Sequence, residues 1–358
     1  MTKPRAFAIA VAAFLGLSLT PPAVHAAPKD HFKVCWTIYA GWMPWEYAGT
    51  KGIVAKWAQK YGISIDVVQV NDYIESINQY TAGGFDGCSM TNMDALTIPA
   101  AGGVDTTALI IGDYSNGNDG VVLKGENKTL ADLKGTPVNL VELSVSHYLL
   151  ARGLESVGLA ERDTKVVNTS DADLVAAFAT AGVKAVVTWN PLLAEVAAQP
   201  KVTKVFDSSQ IPGEILDLMV VNSQTLADNP AFGKALVGAW FEVMALMSAD
   251  TPEGIAARTH MAAAAGTDLA GYEAQLASTR MFYAPADAVA FATSAALPDT
   301  MRKVAGFSFA HGLLGEGARS ADAIGMSFAN GVVSGDAGNV RLRFDPAFMQ
   351  MAAEGKLD

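Results

Sequence analysis

Cysteine is almost missing from this chain: Cys35 and Cys88 are the only two in 358 residues. That rules out a disulfide-built scaffold. The two lie near strands that can be neighbours, and the sequence alone is compatible with one bridge or with two buried thiols. Basic residues are scarce too, 25 against 36 acidic ones, for a net charge of −11. With no basic stripe to release counterions, nucleic acid is excluded as a partner. The histidines number five and are dispersed. No Gly-x-Ser-x-Gly elbow, phosphate-binding Walker loop or His-Glu-x-x-His pair occurs, so the chemistries those motifs carry are not expected. Ser144 and His147 are three apart, but no third orienting group or oxyanion site accompanies them. The chain therefore does not read as an enzyme, and no cofactor or metal is called for. Internal repeats and low-complexity linkers are absent as well.

The apolar run Ala6 to Leu19 is shorter than the roughly 20 residues of a membrane span. With Lys3 and Arg5 before it, Pro21-Pro22 after it and a small-residue cut at Val24-His25-Ala26, residues 1–26 read as an export signal. No cysteine stands at the cut, so no lipid anchor is expected. Loss of Lys3 and Arg5 with the signal moves the net charge from −11 to −13.

What is present in quantity is apolar: 51% of residues are hydrophobic. That builds a sizeable core, and the length suggests two lobes. Strands near Val34–Tyr39, Ile65–Val70, Gly87–Met90 and Thr107–Gly112 alternate with helices over Thr50–Tyr61, Tyr73–Ala82 and Asn92–Ala100, the pattern of a parallel sheet covered by helices. A second α/β unit follows the capping-box run Thr129-Leu130-Ala131-Asp132. Its strands fall at Pro137–Val141, Lys165–Val167 and Ala185–Thr188, and its helices at Ser146–Val157 and Ala172–Thr180. Leu218–Val221 returns the chain to the first lobe. Beyond Asn229 the sequence predicts Ala- and Met-rich helix, interrupted at Pro252, Gly266, Pro285 and Pro298. The expected division is 28–115 with 222–358 as lobe 1 and 116–221 as lobe 2, with hinge crossings near 113–120 and 215–223.

The run Tyr39-Ala40-Gly41-Trp42-Met43-Pro44-Trp45-Glu46-Tyr47 concentrates four rings and a carboxylate just past the first strand. Gly41 and Pro44 argue against a helix interior, so it reads as a ligand-facing loop. The strand ends of such sheets are where sites form. Around them the segments 39–47, 90–94, 112–119, 142–147 and 187–191 contain no Arg or Lys but hold Glu46, Asp94, Asp113, Asp119 and Glu142, with Asp217 near the return crossing. Tyr39, Trp42, Trp45 and Trp189 are the candidate stacking faces, and Glu46, Asp94, Asp113 and Glu142 the candidate acceptors. Thr91, Asn92, Ser144 and His147 are candidate polar contacts that could equally cap helices. Carboxylates with aromatic faces suit a planar guanidinium, whose N–H groups need in-plane acceptors. Neutral urea is the alternative, and a nitrate- or sulfonate-type anion fits this charge less well.

Together these features resemble the periplasmic solute-binding proteins of ABC transporters, in the nitrate/taurine-like group. The "LADLKG" run at Leu130–Gly135 and Trp189-Asn190-Pro191 carry part of that likeness. Three longer runs, "WTIYAGWMPWEYA" (36–48), "VNDYIESINQYTAGGFDG" (70–87) and "MTNMDALTIPAAGGVDTTALIIGDYSNGNDG" (90–120), resemble the binding proteins encoded beside urea carboxylase. The resemblance implies a two-lobed periplasmic-binding-protein fold of type II, acting as a monomer. It also implies a periplasmic location, a small urea-like or guanidinium-like solute, and an ABC permease as docking partner. A sensor role for the same cleft is the rival within that fold.

Overall fold

The computed structural model describes residues 29–357; the export signal expected at 1–26 lies outside them. Fourteen strands divide between two sheets. The first contains β1 (His31–Trp36), β2 (Ser64–Gln69), β3 (Gly87–Thr91) and β4 (Thr106–Ser115). The second is built from β5 (Asp119–Lys124), β6 (Pro137–Leu140), β7 (Lys165–Asn168), β8 (Ala185–Trp189) and β9 (Val202–Asp207), in the order β7-β6-β8-β5-β9. The chain then returns through β10 (Leu216–Asn222), and β11 (Thr279–Met281), β12 (Gly325–Ser327), β13 (Val333–Ser334) and β14 (Val340–Phe344) complete the first sheet.

Neither sheet is purely parallel. β1 pairs in parallel with β2 and β3, as the βαβ alternation requires, whereas β10 runs antiparallel between β3 and β4. Because β10 belongs to the first sheet, the second crossing falls at 208–215, and lobe 2 ends before 216 rather than at 221. In the second sheet β6, β7 and β8 are parallel, and β5 and β9, the strands that enter and leave the lobe, are antiparallel. The two crossings touch: Ser208 Oγ lies 2.6 Å from Ser115 Oγ and accepts from Gly117 N at 2.8 Å. Gly117 has φ 113°, a conformation that favours glycine at the turn into β5.

Several expected elements shift for local reasons. Residues 40–50 are helical, a short turn at Ala40–Trp42 leading into Met43–Thr50, not an open loop. Pro44 sits in the first turn, where its missing N–H has no intrahelical partner to lose. The helix expected at Thr50–Tyr61 is two, separated at Gly52 with φ 72°. The C-terminal prolines open helices rather than interrupt them, at Pro230–Met247, Pro252–Ala264 and Pro285–Ala292. The short strands β11 to β14 were not expected there. Pro230–Met247 is apolar enough to cross a membrane by composition, but it packs into the core, with Phe232 stacked on Phe32 and Trp240 against Trp45. Cys35 and Cys88 face each other in the β1–β3 register and form a disulfide, which closes the alternative of two thiols. A cross-link of this separation stabilises a fold by about 2–4 kcal/mol.

Candidate functional site

Strand register assembles the site. Asp217 on β10 lies opposite Asp113 on β4 and opposite Thr91 on β3, so two carboxylates and a hydroxyl-bearing residue stand abreast at one end of the first sheet. Across the cleft, Asp119 on β5 pairs with Trp189 at the end of β8. Tyr39 follows β1, and Trp42 ends the turn after it. All of these but Asp113, together with Tyr73 and Val145, line a cavity between the lobes. The cavity they enclose is small, about 10 Å³. That is room for about one water. The lobes are in contact over it: Ala40 N donates to Asn190 O at 3.3 Å, Trp189 Nε1 to Ile38 O at 3.4 Å, and Ser170 Oγ to Asp72 Oδ2 at 3.1 Å.

Aromatic rings make the walls. Trp42 packs edge-on to Tyr39 and tilted to Tyr73, with centroids 5.0 and 5.8 Å apart, and Tyr73 meets Trp189 at 5.6 Å. Acids make the floor. Tyr39 Oη donates to Asp113 Oδ1 at 3.2 Å, and Asp113 and Asp217 stand opposite each other in the β4–β10 register. Tyr73 Oη and Thr91 Oγ1 both donate to Asp94 Oδ2, at 2.7 and 2.8 Å, and Asp94 stands near the Val145 amide of the facing lobe. Burial is the main cause that pushes Asp113 and Asp119 up to about 7 and Asp94 to about 6, and it raises Asp217 well above its usual range. Asp94 Oδ1, Asp113 Oδ2, Asp217 Oδ2 and Trp42 Nε1 are buried without a hydrogen-bond partner. None of the lining residues is basic.

Gly41 is required by this packing. A Cβ there would fall 2.6 Å from Asp113 Oδ2 and 2.5 Å from Tyr39 Cε1.

Of the residues singled out in the sequence, Tyr39, Trp42, Thr91 and Trp189 line the cavity, and Asp94 and Asp113 stand directly behind it. The others lie elsewhere. Trp45 turns into the core against Trp240, with centroids 5.0 Å apart. Glu46 faces His260 at 3.0 Å and accepts from Thr50. Asn92 bridges to the return crossing, donating to Glu214 O and accepting from Leu216 N. Ser144 caps the helix Val145–Ser156 through Ser146 N. Glu142 is exposed beside a separate surface depression with Asp72 and Asp171. His147 contacts Glu161 at 2.6 Å, and His311 of the other lobe contacts the same carboxylate at 2.7 Å. This His147–Glu161–His311 group has metal-like spacing, but His147 Nδ1 accepts from Leu143 N, which leaves the proton on the Nε2 a metal would need.

Tyr73 and Val145 were missed as site residues, and Asp119 and Asp217 were counted among the cleft acids without being singled out as solute contacts. A signal existed for Asp217: an acid enclosed by Leu216 and Leu218 in an apolar strand is costly to bury unless it is used.

A model of the NMT1/THI5-like family matches residues 47–255, more than half of the chain, and the chain belongs to that family. A "Putative aliphatic sulfonates-binding protein" of Escherichia coli (strain K12) is 32% identical over 145 residues, which cover 38% of this chain and 43% of that relative. The matched stretch thus spans less than half of the relative's length. Among solved structures, the alkanesulfonate-binding protein SsuA from Xanthomonas axonopodis pv. citri bound to MOPS superposes with a TM-score of 0.66 at 18% identity, over 81% of this chain and 96% of that one. The periplasmic nitrate-binding protein NrtA from Synechocystis PCC 6803 gives 0.57 at 13% identity, over 92% and 99%. At such identities the likeness is one of fold. The fold is the two-lobed α/β periplasmic-binding-protein fold, and the proteins named are binding proteins rather than enzymes.

Proposed function

We propose, with membership of the NMT1/THI5-like family as the premise, that this chain is the solute-binding component of an ABC importer in the periplasm. Its solute is a small planar nitrogen-rich cation of the guanidinium type, held between the lobes and handed to the permease. One observation carries this reading: Asp217 lines the cavity with a carboxylate oxygen that no protein group satisfies, in a lining without a basic residue. A charge pair at about 4 Å contributes roughly 4 kcal/mol at an effective dielectric near 20. Stacking on the rings of Tyr39, Trp42 and Trp189 adds about 0.5–2 kcal/mol. The cavity as it stands has room for about one water, so the lobes part to admit the solute, and closure on it follows from its higher affinity for the closed form.

A sulfonate- or nitrate-type anion is the second reading, because the named relatives bind such solutes. Anions commonly use the amides at a helix N-terminus. Here Asp94 of the facing lobe stands near the Val145 amide, the first of its helix, and its negative charge opposes an anion at that position. Neutral urea would use the same acceptors without the ionic contribution. A thermal-shift panel of the mature protein with guanidinium, methylguanidinium, urea, nitrate and taurine separates the three. Stabilisation by the guanidinium salts supports the proposal, and stabilisation by the anions alone overturns it.

A further inference from the structure

We propose that Trp42 is a specificity-determining residue, and that the solute therefore carries a hydrogen-bond acceptor beside its N–H donors, as a carbamoyl- or acyl-substituted guanidinium does. This deepens the cation reading and rests on it. The unpaired polar atoms around the cavity are of two kinds. Asp94 Oδ1, Asp113 Oδ2 and Asp217 Oδ2 are acceptors, whereas Trp42 Nε1 is a donor and nothing else. Trp42 lines the cavity, is 4% exposed and is held by Tyr39 on one side and Tyr73 on the other, so its indole cannot turn out to find water.

A bare guanidinium has donors on every edge. It would satisfy the carboxylates and leave Trp42 Nε1 unpaired in a site closed to solvent, the costly arrangement for a buried donor. A carbonyl conjugated to the guanidinium lies in the same plane, so it widens the solute without thickening it between the rings. It also supplies the acceptor that the indole lacks, while the N–H edge still faces Asp217 and Asp119. A site built to hydrogen-bond one polar group discriminates strongly against the analogue lacking it.

The test is calorimetric titration of the mature protein and of Trp42→Phe, which keeps a ring and removes the N–H. Carbamoylguanidinium, methylguanidinium and guanidinium are the probes. Wild type is expected to bind carbamoylguanidinium at least tenfold more tightly than methylguanidinium, whose substituent carries no acceptor. Trp42→Phe is expected to lose that preference, its affinities for carbamoylguanidinium and methylguanidinium falling within about twofold of each other. Equal affinity of wild type for the carbamoyl and methyl derivatives overturns the proposal even if the variant fails to fold. A preference that survives in a folded Trp42→Phe overturns it as well. Binding of nitrate or taurine with no cation bound removes the cation reading itself, a different result from loss of the preference alone.

Discussion

Two clusters of buried acids sit between the same two lobes and are built in opposite ways. On one side of the domain junction, Glu214 accepts from Tyr148 at 2.6 Å, from Arg152 at 2.9 Å and from Lys303 at 2.8 Å, and Glu161 lies between His147 and His311. Burial pushes both carboxyls up, but hydrogen bonds from Arg152 and Lys303 hold Glu214 below its ordinary range, and His147 and His311 do the same for Glu161. Each of these acids is matched within the chain, and each links lobe 2 to lobe 1 through Lys303 or His311. In the cleft, Asp94 accepts from Tyr73 and Thr91 and Asp113 from Tyr39, no ion pair reaches Asp94, Asp113, Asp119 or Asp217 among the described residues, and burial raises all four. Matched acids hold the lobes together; unmatched acids leave a charge requirement for a solute to meet.

Breaking the unmatched cluster should have the largest effect. Asp217→Asn removes the charge at the cavity wall while keeping the shape, and we expect at least a hundredfold loss of guanidinium-type binding by calorimetry with an unchanged melting temperature. Retained affinity would show that the cluster is structural. Next comes Gly41→Ala, whose Cβ meets Asp113 Oδ2 at 2.6 Å. Overpacking of this kind costs about 1–3 kcal/mol, and binding should weaken about tenfold because Tyr39 and Asp113 are both displaced.

pH sharpens the contrast further. The cleft acids titrate at about 6 to 7 in the folded chain, above the usual value near 4. The folded state therefore binds their protons more tightly than the unfolded state does. Their contribution to solute-free stability is greatest below about pH 4 and falls as pH rises through 6 to 7. A cation needs them ionised, so its affinity should move the other way, weakening about tenfold from pH 8 to pH 5.5. An anion would bind more tightly over the same fall.

A smaller effect is expected from the matched side. Glu161→Gln loosens the link to His311, shifts the lobes toward the open form, and should weaken binding only about two- to fivefold. Glu142→Gln, on the exposed surface, should leave affinity unchanged within twofold.

How much of this was legible in the sequence follows the range of the forces involved. Strands β1 to β4 and their helices were readable because βαβ alternation is local. Tyr39, Trp42, Thr91 and Trp189 were found because each lies at a strand end or just past one. Asp217 and Asp119 enter the cavity through antiparallel pairings made when the chain leaves one lobe and returns, and such long-range register has no local signature. The Trp45 side chain was misassigned because two indoles in one aromatic run look alike until helix geometry sends one to the cleft and the other to Trp240. His147 and Glu142 were drawn in by nearness to a strand end, although the helix at Val145–Ser156 turns His147 toward Glu161.

The most direct test is the proton balance of binding at pH 7. Calorimetric titrations of guanidinium in buffers of different ionisation enthalpy should show release of about one proton as the cleft carboxyls, raised by burial, ionise against the solute. Proton uptake, or tight binding of an anion in its place, would contradict the account.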